Sequence, residues 1–313
     1  MKVSICVTVY NEESSISDLL ASLLRQMKLP DEIVIVDGGS GDKTVEIIRH
    51  YQKKDRRIRL LVEKCSRAKG RNLGVELAKN EIIAMTDAGC TADSRWLERI
   101  TSPFNVEEID IAAGFYKMFA KSPIQKASSV FLGVTPSKFN MSFLPSTRSI
   151  AFRKKAWEAI GGFPEQKGNS AEDTDFNYKA IKLGMKFARV KNAIVEWGIP
   201  ETLKETMRKL YSYSKWDAKY GTWWHPVHKL SSHNIKVSLV FVRYILGLLL
   251  LVLGLKNILL WNVLLIALVL YILWSFKKVY SQFGDWRAGL WGVLLQFGAD
   301  LAVMTGFVAG TIG

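Results

Sequence analysis

The chain has 313 residues and a formal net charge of +14, and its composition divides near residue 230, with mixed charged and apolar residues before it and long apolar runs after it. A basic excess suits nucleic acid, an anionic membrane surface or a phosphorylated ligand; no zinc-finger spacing, aromatic RNA-binding signature or recognition-helix pattern supports the first, so no nucleic-acid partner is expected. Cys6, Cys65 and Cys90 are odd in number and lack C-x-x-C spacing, which excludes a disulfide framework and fits a reducing compartment.

Three apolar runs, VSICVTV, EIVIVD and EIIAMTD, read as buried strands, and they end close to Asn11-Glu12, at Asp37 and at Asp87. Between the first two, Ile16, Leu19, Leu20, Leu23 and Leu24 share one helical face. After Asp37, Gly38-Gly39-Ser40-Gly41-Asp42 predicts a tight turn in which Ser40 or Asp42 caps the next helix. Ile58 to Glu63 reads as a third strand and Ala68 to Lys79 as a helix, so strands and helices alternate as in a mostly parallel sheet. Residues 108 to 153 predict further, mixed strands around an irregular connection. Ala171 to Leu183 predicts a helix opening on Glu172-Asp173-Thr174-Asp175, and Lys186 to Val195 a further strand or strand pair. In such a sheet the carboxyl ends of the strands gather distant residues along one edge, which is where a ligand is expected.

The T-x-x-E box at Thr202 and Glu205 opens a basic amphipathic helix toward Tyr220, with Lys204, Arg208 and Lys215 on one face, as suits a membrane surface. Two apolar spans are expected at 237–255 and 258–275, joined tightly at Lys256-Asn257, and a third at 288–312, interrupted by Gln296 and Asp300. Arg243 costs at most about 3 kcal/mol on an insertion scale, which the apolar residues around it offset, and it is expected to snorkel toward the cytoplasmic end. Lys229, Lys236, Lys277, Lys278 and Arg287 flank the first two spans, so the positive-inside rule predicts a multi-pass protein of the cell membrane with its N-terminal domain in the cytoplasm. The N-terminal apolar run, broken at once by Asn11, Glu12 and Glu13, is too short to read as a signal peptide.

The segments VTVYNE, VDGGSGDKT, GRNLG, TDAGC, GGFPE and AEDTDF, in this order, resemble the family-2 inverting glycosyltransferases of the GT-A fold over roughly residues 1 to 200. The resemblance implies an α/β, Rossmann-like, mostly parallel sheet flanked by helices in a domain over 1–200. An interfacial helix and linker at 201–236 and a helical membrane region at 237–313 follow it. It gives the nucleotide sugar to Val9, Tyr10, Asn11, Glu12, Asp37, Gly38, Arg71, Asp87 and Ala88, with Asp37 at the base edge and Arg71 near the diphosphate. The plainer roles are a turn residue for Asp37 and a surface charge for Arg71. Asp87 matches the first acid of the D-x-D motif and is the expected metal residue, for Mg2+ or Mn2+; Gly89 replaces the second acid. Cys90 and Asp93 are weighed as further ligands against roles as a core thiol and a helix cap.

Glu172-Asp173 matches the family's acidic pair, which makes Asp173 the expected general base and Glu172 its partner; an acidic first turn complementing the helix dipole is the alternative. Where relatives often place a histidine ligand, this chain has Val195-Glu196-Trp197, and His225 and His228 are given no metal role. Trp197, Trp223 and Trp224 are expected to anchor the domain at headgroup level rather than to stack on a sugar. GGSGDKT lacks the order of a phosphate loop and no G-x-G-x-x-G follows the first strand, which disfavours a nicotinamide enzyme. The Q-x-x-R-W signature of processive synthases is absent. The reading is therefore transfer of a single sugar from a nucleotide-diphosphate sugar to a hydroxyl or phosphate acceptor, a glycan or a polyprenyl-phosphate-type lipid. A non-catalytic nucleotide-sugar-binding scaffold is the rival, and a channel or flippase ranks last.

Overall fold

A computed structural model describes the chain except residues 166–171, 220, 222, 224–231 and 313. His225, His228 and Trp224 lie outside the described residues. Two compact units emerge: Met1–Phe119 with Pro136–Gly198, and Ala120–Thr135 with Ile199–Gly313.

The first unit opens with three βα repeats. Strands β1 (Val3–Val9), β2 (Glu32–Asp37) and β3 (Ile58–Val62) alternate with helices α1 (Ile16–Leu24), α2 (Thr44–Lys54) and α3 (Arg67–Leu77), and β4 (Ile82–Met85) follows. β1 pairs in parallel with β2 and β4, and β2 with β3; β1, β2 and β4 are covered on both faces, as their largely apolar content suits, while β3 (IRLLV) is a half-buried edge strand. Ile16, Leu19, Leu20 and Leu23 are fully buried, so the apolar stripe of α1 lies inward. Beyond β4 come β5 (Cys90–Ala92), α4 (Trp96–Thr101) and β6 (Ile111–Phe119), then β7 (Ile150–Arg153), α6 (Lys154–Ile160), α7 (Glu172–Lys182) and β8 (Phe187–Gly198).

The eight strands run in the order β3-β2-β1-β4-β7-β6-β8-β5. β7 is antiparallel to both β4 and β6, and β5 to β8, so a parallel first half continues into a mixed second half, with four of the seven strand pairings parallel. The cause is local to the second half: β6 and β7 are not joined by a crossover helix packed back on the sheet, and β6 pairs in parallel with β8 instead. The core between the sheet and its helices holds Phe152, Phe163 and Phe176, with Phe163 stacked on Phe176 at 4.5 Å between ring centroids.

The connection read from sequence as irregular carries a helix, α5 (Pro123–Leu132), that belongs to the second unit. Ser122 caps it: its Oγ accepts the Gln125 N–H and the Gln125 side chain accepts the Ser122 N–H. The remaining helices are α8 (Leu203–Lys219), α9 (His233–Gly254), α10 (Ile258–Phe283) and α11 (Trp286–Ile312). The last three are long and apolar enough to cross a membrane. At 22, 26 and 27 residues they measure about 33 to 40 Å at 1.5 Å per residue. Asn257 starts α10 by accepting the Leu259 N–H, which closes the tight α9–α10 hairpin. On α11, Cβ atoms at Gly306 and Gly310 would lie 2.4 Å from the Tyr211 carbonyl oxygen and 2.1 Å from that of Lys215, so the α8 backbone approaches α11 along a glycine face that no larger residue permits.

The polar residues that interrupt the third apolar run point inward. Gln296 and Asp300 are buried, and Asp300 Oδ2 lies 2.7 Å from Arg243 Nη2. The Tyr244 hydroxyl donates to Asp300 at 3.0 Å, the Tyr271 hydroxyl donates to it too, and Gln296 Nε2 reaches its other oxygen at 3.0 Å. Arg243 is therefore paired with an acid rather than snorkelling, because a charge in apolar surroundings gains more from a partner than from a long reach to water.

Candidate active site

The edge formed by the ends of β1, β2 and β4 is shaped by short acidic and glycine-rich turns. Asn11 has φ +53°, the one left-handed non-glycine among the described residues. It donates its N–H to Ser40 Oγ at 2.8 Å and accepts the Gly41 N–H through Oδ1 at 2.9 Å, which clamps the two loops together. Asp37 has no exposed surface: Oδ1 accepts the N–H groups of Gly39 and Ser40, and Oδ2 the Ser40 hydroxyl. Its carboxylate thus holds the turn. Asp42, and not Ser40, serves the start of α2 by accepting the Thr44 N–H. The Gly38 N–H donates to Val9 O, Tyr10 is exposed, and the Glu12 N–H is held by Thr44 Oγ1.

Helix α3 brings Arg71 inward. A Cβ at Gly70 would stand 2.6 Å from Thr8 Cγ2, so glycine is what lets α3 lie against β1 and carry the next residue under the sheet edge. Arg71 is 3% exposed, far from the surface charge of the plainer reading. Its Nη2 donates to Asp87 Oδ1 at 2.8 Å and its Nη1 to Glu172 Oε1, with the Phe163 ring 5.8 Å from the guanidinium carbon. One arginine thereby joins residues 16 and 101 positions away. Burial works to lower the Arg71 pKa, but Asp87, Glu172 and Asp173 outweigh it and the guanidinium is held more firmly charged than usual.

Asn72, the next residue, explains why GRNLG and GGFPE occur together. Its side chain donates to Phe163 O and to Glu165 Oε1, and accepts the Phe163 N–H and the Trp157 indole N–H. These bonds fix the turn before α7, the helix that supplies Glu172 and Asp173.

The electrostatics then divide the carboxylates. For Asp87, burial favours the neutral form, yet Arg71, Arg148 and Arg67 together hold it below the ordinary carboxylate range. For Asp173, burial and then the neighbouring Glu172 charge raise the pKa, against the opposing pull of Arg71 and Arg148. Two carboxyls of one site are pushed in opposite directions, one held ionised and the other shifted toward its protonated form.

Arg148, in the loop before β7, is absent from every motif read in the sequence. Its guanidinium lies 3.9 Å from the Trp197 ring centroid and 5.0 Å from that of Tyr116. Trp197 is 5% exposed at the end of β8 and so belongs to this site rather than to a headgroup anchor. The signal that would have found Arg148 is faint: a lone basic residue in Ser146-Thr147-Arg148-Ser149, beside Thr147, whose hydroxyl donates to Asp87 Oδ2 at 3.2 Å.

The donor set was weighed for a divalent cation. Both Asp87 oxygens have partners, Arg71 and Thr147, and Gly89 offers none. Burial pushes the Cys90 thiol up to about 12, so it is no thiolate, and Asp93 binds the Arg95 N–H and Arg99. Among the described residues no three His, Cys, Asp or Glu side chains gather to hold a metal. A divalent ion beside Arg71 and Arg148 would also meet two like charges, so the residues present do not fit it.

A family model described as Glycosyl transferase family 2 matches residues 4–164, and one described as Glycosyl transferase family group 2 matches residues 112–275. The chain belongs to glycosyl transferase family 2. It is 29% identical over 192 residues to the uncharacterized glycosyltransferase EpsJ of Bacillus subtilis, covering 58% of this chain and 56% of that one. The chain thus spans little more than half the length of this relative. In fold it resembles residues 1–349 of S. aureus TarS in complex with UDP-GlcNAc, with TM-score 0.53, 20% identity and coverage of 71% and 72%. It also resembles the mannosyltransferase PcManGT of Pyrobaculum calidifontis in complex with GDP-Man and Mn2+, with TM-score 0.52, 21% identity and coverage of 70% and 64%. The bound Mn2+ of the latter suggests divalent-cation use among proteins of this fold.

Proposed function

We propose that the protein is a membrane-anchored inverting glycosyltransferase that moves one sugar from a nucleotide-diphosphate sugar to an acceptor hydroxyl or phosphate, on the cytoplasmic face. The observation that carries this reading is the Arg71 bridge, which couples Asp87 at the end of β4 to Glu172, beside Asp173, whose pKa burial and the Glu172 charge raise against the pull of Arg71. Two relatives of the fold with different nucleotides bound, UDP-GlcNAc and GDP-Man, support a nucleotide-sugar donor and leave its base open.

In the reaction, Asp173 removes the acceptor O–H proton as that oxygen attacks the anomeric carbon. The new C–O bond forms on the face opposite the bond to the diphosphate, which breaks and leaves with its electron pair. Glu172 and Arg71 fix the base, and Asp87 faces the donor with Ala88 beside it. Tyr10, Asn11, Glu12 and the turn held by Asp37 line the nucleotide end. Arg71 acts on the diphosphate at most through Asp87, since its Nη1 and Nη2 point to carboxylates.

For the acceptor, a polyprenyl-phosphate-type lipid is favoured over a soluble glycan by the company α8 keeps. Its Lys204, Arg208 and Lys215 sit in the same unit as three apolar helices, and each basic residue near a bilayer surface attracts anionic headgroups by about 1 kcal/mol. Purified protein in detergent, given a panel of UDP- and GDP-sugars with a polyprenyl phosphate, is expected to release nucleoside diphosphate and form a glycolipid with inverted anomeric configuration. Absence of turnover with every donor would favour the non-catalytic scaffold, and retained configuration would remove Asp173 as base.

A further inference from the structure

Helices α9 and α10 form a hairpin whose two feet lie on one side. At the tip the backbones touch, a Cβ at Gly254 standing 3.1 Å from the Trp261 N. Arg243 and Tyr271, each about 18 to 20 Å from the tip at 1.5 Å per residue, still hold the arms together, with the guanidinium carbon 4.6 Å from the ring centroid. Arms joined at both levels bring the start of α9 and the end of α10 to the same side, so two crossings return the chain to the face it left.

Helix α11 begins and ends at those feet. Its first half runs antiparallel to the last turns of α10: a Cβ at Gly289 would lie 2.5 Å from Phe276 Cε2, one at Gly292 would lie 2.6 Å from Val279 Cγ2, and Phe297 stands 5.3 Å from Tyr271 between ring centroids. Its far end lies beside the start of α9. Phe307 meets Phe241 at 6.0 Å, and a Cβ at Gly310 would be 2.9 Å from the Ala218 Cβ of α8. The residue before Ala218 ties the same place to α9, since Asn234 Nδ2 donates to the Asp217 carbonyl oxygen at 3.0 Å. A helix that starts beside one foot and finishes beside the other lies across the base of the hairpin and never reaches the level of its tip.

Charge supports the same placement. From Gly298 to Gly310, α11 is lined by α8 from Met207 to Ala218, a length that carries Arg208, Lys209, Lys215 and Asp217. If α11 crossed, these side chains would enter the hydrocarbon core with it, where ionised groups are strongly disfavoured. The exposed apolar residues of α11 instead share one stripe: Trp286, Leu290, Leu294, Leu301, Val308 and Ile312 recur at the helical repeat. An apolar stripe backed by a basic helix is the pattern of helices lying in the plane of a membrane interface.

We infer that the chain crosses the bilayer twice, through α9 and α10, and that α11 lies with α8 along the membrane surface at the feet of the hairpin, its apolar stripe against the lipid. The inference rests on the membrane-anchored reading and not on the transfer reaction. Two crossings set the end of α11 on the face where α9 starts; three would set it on the face of Lys256. The Arg243–Asp300 pair then stands near the headgroups at the base of the hairpin, a level that suits the tyrosines bonded to it.

Single cysteines in the full-length protein, expressed in a bacterial inner membrane, test this with a membrane-impermeant maleimide. Each reading is taken above that of the chain carrying only Cys6, Cys65 and Cys90. The exposed positions Lys256→Cys, Gln282→Cys and Thr311→Cys mark the tip, the foot of α10 and the end of α11. In intact spheroplasts Lys256→Cys is expected to react while Gln282→Cys and Thr311→Cys do not, and in inside-out vesicles the pattern reverses. Thr311→Cys reacting from the side of Lys256→Cys, opposite to Gln282→Cys, is the three-span result and overturns the inference. Thr311→Cys reacting from neither side overturns it too, as does a tip that reacts from the side of Gln282→Cys. The expected pairing with the two faces exchanged upholds the inference and removes only the cytoplasmic placement. Release of the wild-type protein by alkaline carbonate removes the anchor and this inference with it, whereas nucleotide-sugar turnover by the released protein would keep the transferase reading. Ile312→Cys reports the same end if Thr311→Cys is not recovered.

Discussion

Among the described residues, the arginine–carboxylate clusters around Arg71 and around Asp300 differ in what completes them. Around Arg71 the partners are Asp87 and Glu172, with Asp173 and Arg148 near enough to shift their charge balance. Around Asp300 the single arginine Arg243 is supplemented by two tyrosine hydroxyls and a glutamine amide. The first cluster is an unresolved contest of charges in which one acid is pulled down and another pushed up, the condition for chemistry. The second is one ion pair finished with neutral donors, the condition for holding apolar helices in one arrangement. On the proposed function, the same residue types therefore serve catalysis or architecture according to whether their neighbours are charged or neutral.

The largest break is Arg71→Met. Removing the shared arginine leaves Asp87 and Glu172 without the cation they both bind, with only Arg67 and Arg148 nearby, and breaking a buried pair in this way costs about 3–5 kcal/mol. Urea or thermal unfolding of the first unit is expected to shift by that amount, with activity lost even in the folded fraction. Wild-type-like stability would mean that the cluster is wetter than its geometry implies.

Asp173→Asn is expected to lower kcat by about 10² to 10⁴, the usual worth of a general base, with little change in stability or in nucleotide affinity. The wild-type rate should fall on acidification through the Asp173 pKa, which burial and Glu172 raise above the ordinary carboxylate value, so this limb lies higher in pH than an exposed Asp would put it. The linkage signs oppose: Asp87, depressed in the fold, contributes stability that persists above its unfolded pKa and is lost as pH falls through the folded one. Asp173, raised in the fold, favours the folded state at low pH and loses that contribution as pH rises. A rate limb at ordinary carboxylate pH would argue against Asp173 as the base.

Much of this was legible in the chain. Continuous Val and Ile runs placed β1, β2 and β4, and a 3.6-residue stripe placed α1, because burial on both faces or on one stripe leaves a direct mark in sequence. The motif order marked Arg71, Asp87 and Glu172-Asp173. What sequence could not carry was orientation across distance. The mixed half of the sheet depends on α5 leaving the first unit, and no local pattern around Pro123 announces that. Only the loop geometry reveals the three internal hydrogen bonds of Asp37. Arg148 and Trp197 lie 49 positions apart and become one feature only when β8 lines up beside β6. Arg243 and Asp300 each looked like a defect in an apolar run, and pairing them needs the three-dimensional bundle.

Asp300→Asn breaks the second cluster alone. Arg243 would keep its tyrosine neighbours and lose its counter-charge, at a cost of about 1–3 kcal/mol in apolar surroundings. Replacing both residues by leucine is expected to recover most of that loss, as often happens when a buried pair is exchanged for packed apolar groups. Nucleotide binding and turnover of the folded protein should stay unchanged in either variant. If the double variant is stable but inactive, the second cluster has a role in the reaction and the division drawn between the two fails.

The finest distinction comes from two hydroxyls in equivalent positions. Thr147 donates to Asp87 and Tyr271 donates to Asp300, each a neutral bond to a carboxylate already paired with arginine. Thr147→Val and Tyr271→Phe should each cost roughly 0.5–1.5 kcal/mol in stability, the net worth of one such bond. Their kinetic consequences should part. With Thr147 removed, Asp87 Oδ2 loses its neutral partner next to the donor, so kcat/KM is expected to fall several-fold while kcat follows only in part. With Tyr271 removed, neither parameter should move once the folded fraction is accounted for. Equal kinetic effects from the two would mean that the charged cluster is no more tied to the reaction than the neutralised one, and the contrast in their neighbours would then have no functional meaning.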